Sequence, residues 1–227
     1  MRLFANLEQF GDAVVVEDSS GRSYSYRDLV EASNELAAQF GTASKQLVLI
    51  YCTNSFETLV GYCATLRSGH CALLISADID DELAGRTIRA YEPDYVWRDR
   101  SAIADSRYDL GENGLQHIRR DRVKSIHPDL GLLLSTSGST GSPKMVRLKY
   151  QSVDCNAASI AEYLSLDSSE RPISTLPFNY SYGLSIVNSH LLVGATLILT
   201  NDSLDPRVLD ALEGKESHFL CWRAFHV

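Results

Sequence analysis

Residues 132–150 read LLLSTSGSTGSPKMVRLKY. An apolar run at 132–134 passes abruptly into Ser and Thr set around two glycines. Pro143 and Lys144 then close the stretch before the strand-like MVRLKY. Glycine lets successive backbone N–H groups point into one concavity, and the short hydroxyls add further donors, a combination that surrounds phosphate oxygens. Lys144 supplies a compact cation on a flexible stem, and Pro143 restricts the exit on which it sits. The spacing is not G-x-x-x-x-G-K-[ST], which needs Lys directly after Gly, and it is not G-x-G-x-x-G. Gly/Ser richness also fits a mobile surface linker. The strand on each side and the Pro-Lys exit weigh against the linker.

Working outward, strands and helices alternate. AVVVED (13–18) reads as a strand, SGR as a turn and SYSY as the return. Residues 26–40 place Leu29, Ala32, Ser33, Leu36, Ala37 and Phe40 at a 3.6-residue period, which predicts a helix. QLVLIYC (46–52) is nearly continuous in apolar residues and suits a parallel strand covered on both faces. Asn54 or Ser55 caps a predicted helix over 56–68, with Glu57 in its first turn. CALLIS (71–76), a helix over 79–92 stopped by Pro93, and YVWR (95–98) follow, with Trp97 expected in the sheet core. Residues 99–130 are charged and irregular and read as a peripheral connection. A second round has strands at 131–136, 145–150, 172–175 and 195–200, helices at 151–164 and 205–214, and an apolar segment at 180–194. The pattern is α/β: layered, mostly parallel sheets flanked by helices. The two rounds suggest two subdomains, at about 1–130 and 131–227. Loops at the carboxyl ends of parallel strands are where such folds bind ligands.

Composition narrows the function classes. The 227 residues carry a formal net charge of −8, which disfavours a nucleic-acid binder. The basic run RRDRVK (119–124) reads as solvated surface. The five cysteines form no CxxC pair, and the first four (Cys52, Cys63, Cys71, Cys155) sit among apolar residues as small buried hydrophobes do. A reduced, cytoplasmic compartment is expected. The histidines show no metal-ligand spacing, and no metal residue is assigned. No stretch approaches the roughly 18 apolar residues of a membrane span. His190, inside an apolar run, reads as a packed core histidine.

STSGSTGSPK closely resembles the phosphate-loop signature of the adenylate-forming (AMP-binding) ligases, the group that includes acyl-CoA synthetases and nonribosomal-peptide adenylation domains. The correspondence runs through Thr136, Ser137, Gly138, Ser139, Thr140, Gly141, Pro143 and Lys144. Ser135 stands where the family usually has an aromatic residue, and Met145 where it has Gly. YSYRDL (24–29) resembles the early Thr/Ser-Tyr-x-Glu-Leu element, with Asp28 as its acid. TLRSGHCALLIS (65–76) resembles the Leu-x-Ala-Gly segment. In LPFNYSYGLSIVNSHLLVGATLIL (176–199), Tyr180 takes the position of the family's His.

The resemblance implies the fold of the N-terminal subdomains of acyl-CoA synthetases, with 1–227 as one partial N-terminal domain. It also implies use of ATP and Mg²⁺, a small carboxylic acid as substrate, and a thiol acceptor in coenzyme A or carrier-protein phosphopantetheine. Ser137, Ser139, Thr140 and Lys144 would hold the β/γ-phosphates, with Thr136, Gly138 and Gly141 shaping the loop. Asn179, Tyr180, Tyr182 and Gly183 form the candidate acyl-substrate pocket, and no residue is assigned as catalytic. The family's Tyr-Gly-x-Thr-Glu segment, ribose-binding Asp and C-terminal Lys have no counterpart in this sequence. The chain alone is therefore expected to be incomplete or inactive, and to self-associate through surface left open. The alternative is a noncatalytic module that binds a phosphate compound or a protein.

Overall fold

The computed structural model describes residues 2–41, 44–98, 114–118, 125–135 and 144–208. A short helix α1 (Arg2–Ala5) and a 3₁₀ turn (Leu7–Phe10) open the chain. Strand β1 (Val14–Asp18) turns back into β2 (Ser23–Ser25), which leads directly into helix α2 (Tyr26–Ala37). A reciprocal cap starts α2: the Asp28 amide donates to Ser25 Oγ at 3.1 Å, and the Ser25 amide donates to Asp28 Oδ2 at 2.7 Å. Then come β3 (Leu47–Cys52), α3 (Phe56–Arg67), β4 (Cys71–Ser76), α4 (Asp81–Tyr91) and β5 (Tyr95–Arg98). The second round is β6 (Leu115–His117), β7 (Leu130–Ser135), β8 (Met145–Lys149), α5 (Tyr150–Tyr163), β9 (Ile173–Ser174), α6 (Ser181–Val193) and β10 (Leu197–Leu199).

Among the described residues these strands form two sheets. The larger runs β6-β5-β3-β4-β7-β8, its inner four strands parallel and both edges antiparallel. The smaller runs β2-β1-β10-β9, with only β2 antiparallel. Mostly parallel sheets flanked by helices are therefore the architecture. A division at about residue 130 does not coincide with the sheets. β7 and β8 complete the sheet begun by β3–β5, and β9 and β10 extend the one begun by β1 and β2.

Alternation along β3 explains its unbroken apolar run. Val48, Ile50 and Cys52 face a continuous core shared with Val16 of β1, Leu197 of β10 and helices α2, α3, α5 and α6. Leu47, Leu49 and Tyr51 face a second cluster on the other side, where Ile88 and Tyr91 of α4 pack. Trp97 belongs to the first core and donates its ring N–H to the Glu57 carbonyl at 2.9 Å.

Two expectations need correction. Residues 99–130 contain a strand, β6, paired antiparallel with β5. Cys155 is exposed, unlike buried Cys52, Cys63 and Cys71. Helix α5 buries Val153, Ala157 and Ala161 at four-residue steps, so residue 155 points to the opposite face. The expected caps resolve to Ser55, which accepts from the Thr58 amide at 3.2 Å, while Asn54 is engaged elsewhere. Of the predicted helix 205–214, the residues beyond Val208 lie outside those described, as do Cys221 and the basic run 119–124.

Candidate functional site

Strands β7 and β8 run antiparallel, with Leu134 opposite Val146 and Ser135 opposite Met145. The hairpin thus brings Ser135 and Lys144 to one end of the larger sheet, at the carboxyl ends of β3, β4 and β7. Thr136, Ser137, Gly138, Ser139, Thr140 and Gly141 lie outside the described residues. Lys144 is described and exposed, directly before β8. Met145, the departure from the family's Gly, has a structural task. Its side chain packs against the outer-face cluster, and its amide donates to the Tyr91 hydroxyl at 3.0 Å. The start of β8 is thereby tied to the last residue of α4.

The candidate acid-facing residues lie on the turn into α6. The Tyr180 amide donates to the Pro177 carbonyl at 3.0 Å, and the Leu184 amide to the Tyr180 carbonyl at 2.9 Å. Tyr180 precedes the first turn of α6 and is half exposed, at 51%. Tyr182 is partly buried. Gly183 is buried where the helix crosses its own lead-in: a Cβ there would lie 2.7 Å from the Pro177 carbonyl oxygen and 2.8 Å from that of Leu176. Only glycine permits that approach without backbone movement. Asn179 is 3% exposed, and its Oδ1 has no hydrogen-bond partner among the described residues. A buried acceptor left open in this way is costly unless a donor reaches it.

A cavity of about 300 Å³ lies between the hairpin and helices α5 and α6. Leu132, Leu134 and Leu148 form its sheet wall, and Asn156, Ser185 and Asn188 face them from the helices. Its α6 residues are Ser181, Leu184, Ser185 and Asn188, so Asn179, Tyr180, Tyr182 and Gly183 present a different part of the turn. A larger cavity, about 490 Å³, opens at the other end of the sheet beside Arg67–Gly69, away from the hairpin.

His190 sits in the core at 3% exposure, its Nδ1 2.8 Å from the Ile186 carbonyl. Burial depresses its pKa and outweighs that hydrogen bond, which keeps the ring neutral. Asn54 emerges as a residue whose role sequence reasoning missed. Its side-chain amide donates to the carbonyls of Ser174 at 3.2 Å and Thr200 at 2.9 Å, joining the ends of both sheets. No local pattern announces such a residue, because both partners are distant in sequence.

The sequence STSGSTGSPK thus falls between two paired strands at the carboxyl edge of a mostly parallel sheet in an α/β protein. The family model described as AMP-binding enzyme matches residues 3–222, and the chain belongs to that family. Nonribosomal peptide synthetase sirP of Leptosphaeria maculans is 27% identical over 213 residues, covering 84% of this chain and 10% of that protein. Tyrocidine synthase 3 of Brevibacillus parabrevis is 27% identical over 209 residues, 86% of this chain and 3% of that protein. ATP-bound MatB from Rhodopseudomonas palustris superposes with a TM-score of 0.73 at 23% identity, covering 94% of this chain and 48% of that chain. That likeness shows the fold. The chain spans a tenth or less of the two synthetases and about half of the solved chain. No described helix is long and apolar enough to cross a membrane.

Proposed function

We propose that this chain supplies the phosphate-gripping and acid-facing portion of an adenylate-forming ligase. The reaction joins a carboxylic acid to the α-phosphorus of ATP, giving an acyl-adenylate and pyrophosphate. The acyl group then passes to a thiol, either coenzyme A or the phosphopantetheine of a carrier protein. The observation that carries this reading is the family match over 3–222, which spans both the STSGSTGSPK stretch and the hairpin that brackets it.

The chemical demand is control of charge. The leaving pyrophosphate is strongly anionic, and preorganised donors aimed at it lower the barrier. Ser137, Ser139, Thr140 and Lys144 are assigned to the β/γ end, with Thr136, Gly138 and Gly141 giving the loop its shape. The exposed position of Lys144 at the strand start supports its role, because an ammonium there is free to reach a phosphate. ATP would supply the adenylyl group that the acid receives, and Mg²⁺ would neutralise part of the phosphate charge. Among the described residues no three His, Cys, Asp or Glu side chains converge, and none is assigned to the metal. On the acid side, the half-exposed ring of Tyr180 offers a wall.

The test is ATP–pyrophosphate exchange with a panel of carboxylic acids, by a polypeptide that contains these residues together with the family's adenine- and ribose-binding segments. Exchange dependent on at least one acid is expected. Failure with every acid contradicts the ligase reading and favours a noncatalytic phosphate-binding module.

A further inference from the structure

We propose that Asn54 is a positioning residue that fixes the carboxyl end of the smaller sheet against that of the larger, and through it the turn carrying Asn179 and Tyr180. The proposal rests on the reading above that this end of the molecule receives substrate.

Asn54 follows β3, and is 5% exposed. Its Nδ2 donates to the carbonyl of Ser174, the last residue of β9, and to that of Thr200, the residue after β10. Its own amide donates to Asn201 Oδ1 at 2.9 Å. One residue of the larger sheet's loop therefore holds three groups of the smaller sheet. Both side-chain partners are carbonyls, which only accept, so the amide must present its NH₂ to them. The oxygen on its other side has no hydrogen-bond partner among the described residues, so the donors alone account for its placement.

Two features make this more than core satisfaction. The loop bearing Asn54 is stiffened by hydroxyls: the Thr53 amide donates to Thr58 Oγ1 at 3.1 Å, and Thr53 Oγ1 to Ser55 Oγ at 3.0 Å. The donor is thus held from a rigid base. The receiving end is also short. Ser174 lies three residues before Pro177, whose carbonyl sits against Gly183, and its hydroxyl donates to the Leu176 carbonyl at 3.3 Å. A shift at Ser174 has little slack to absorb it before Asn179.

The experiment is hydrogen exchange on the full chain for wild type, Asn54→Asp and Asn54→Ala. Asp keeps the shape and turns an acceptor toward two carbonyls, and Ala removes the donors without that repulsion. Amides at 174–180 and 198–202 are expected to exchange about tenfold faster or more in the Asp variant. A smaller increase is expected for Ala, with the amides of β3, β4 and β7 within about twofold of wild type. Unchanged exchange at 174–180, or an equal rise in both sheets, overturns the proposal. If Asp fails to fold, the Ala variant decides by the same criterion. A second arm measures acid and ATP dependence of pyrophosphate exchange for Asn54→Ala in the longer polypeptide. A raised KM for acid with a smaller change for ATP is expected, and equal changes count against positioning. Should wild type exchange with no acid while the local amide pattern holds, the ligase reading falls and the clasp stands.

Discussion

Gly183→Ala puts the account of the α6 turn under strain. Ordinarily Gly→Ala inside a helix stabilises a protein by roughly 0.5–1 kcal/mol, because Ala loses less backbone freedom on folding. At Gly183 the new methyl would sit 2.7 Å from the Pro177 carbonyl oxygen and 2.8 Å from the Leu176 carbonyl oxygen. Both obstacles are backbone, so no side chain can swing aside. Either the first turn of α6 lifts or residues 176–177 move, and overpacking of this kind costs about 1–3 kcal/mol. After the propensity gain is subtracted, the net effect is a loss of about 0–2.5 kcal/mol. Urea unfolding of both proteins measures it, read as a lower midpoint with an unchanged slope. The same movement displaces Asn179, so hydrogen exchange at 176–184 should rise in the variant. An Ala variant clearly more stable than wild type, with exchange unchanged at the turn, refutes the close-approach argument.

Burial holds His70 and His190 below the ordinary histidine pKa. An unfolded chain therefore takes up more protons than the folded one just below the usual value. Stability from these groups is complete above about pH 6.5 and is lost as pH falls toward their folded pKa values. The melting temperature should drop between pH 7.5 and 5.5, and His190→Gln should flatten part of that drop; an unaltered slope counts against a neutral buried ring. Exposed Cys155 should react with a maleimide in the folded protein, whereas Cys52, Cys63 and Cys71 wait for denaturant. Burial pushes the Cys63 and Cys71 thiols up to about 12, which further suppresses their thiolate. Peptide mass spectrometry separates the sites, and early labelling at 52, 63 or 71 contradicts the packing described.

Much of the fold was legible because its elements are self-consistent at short range. The continuous apolar run of β3 announced a strand covered on both faces, and the 3.6-residue period of Leu29, Ser33 and Leu36 announced α2. β6 escaped because three residues, Leu115–His117, carry no alternation. They are held by pairing to β5 and by the His117 ring stacked 4.8 Å from that of Tyr95. Phe4 and Leu7 escaped because two short turns show no full helical period, yet both side chains are 1% exposed in the core. Cys155 misled because its apolar neighbours lie on the other face of α5. Motif alone nominates Lys144 and the Asn179–Gly183 turn as site residues. The reach of Asn54 could not be read locally, since it depends on where the two sheets meet.

The claim that matters most is that the β7–β8 hairpin grips phosphate through Lys144. Titration calorimetry with ATP, on the wild-type chain and on Lys144→Ala, tests it directly. A charged donor to phosphate contributes roughly 1.5–3 kcal/mol, or about 10- to 150-fold in affinity. Measurable ATP binding by wild type is expected, weakened to that extent in the variant while the melting temperature holds. Equal affinity of the two proteins for ATP would contradict it.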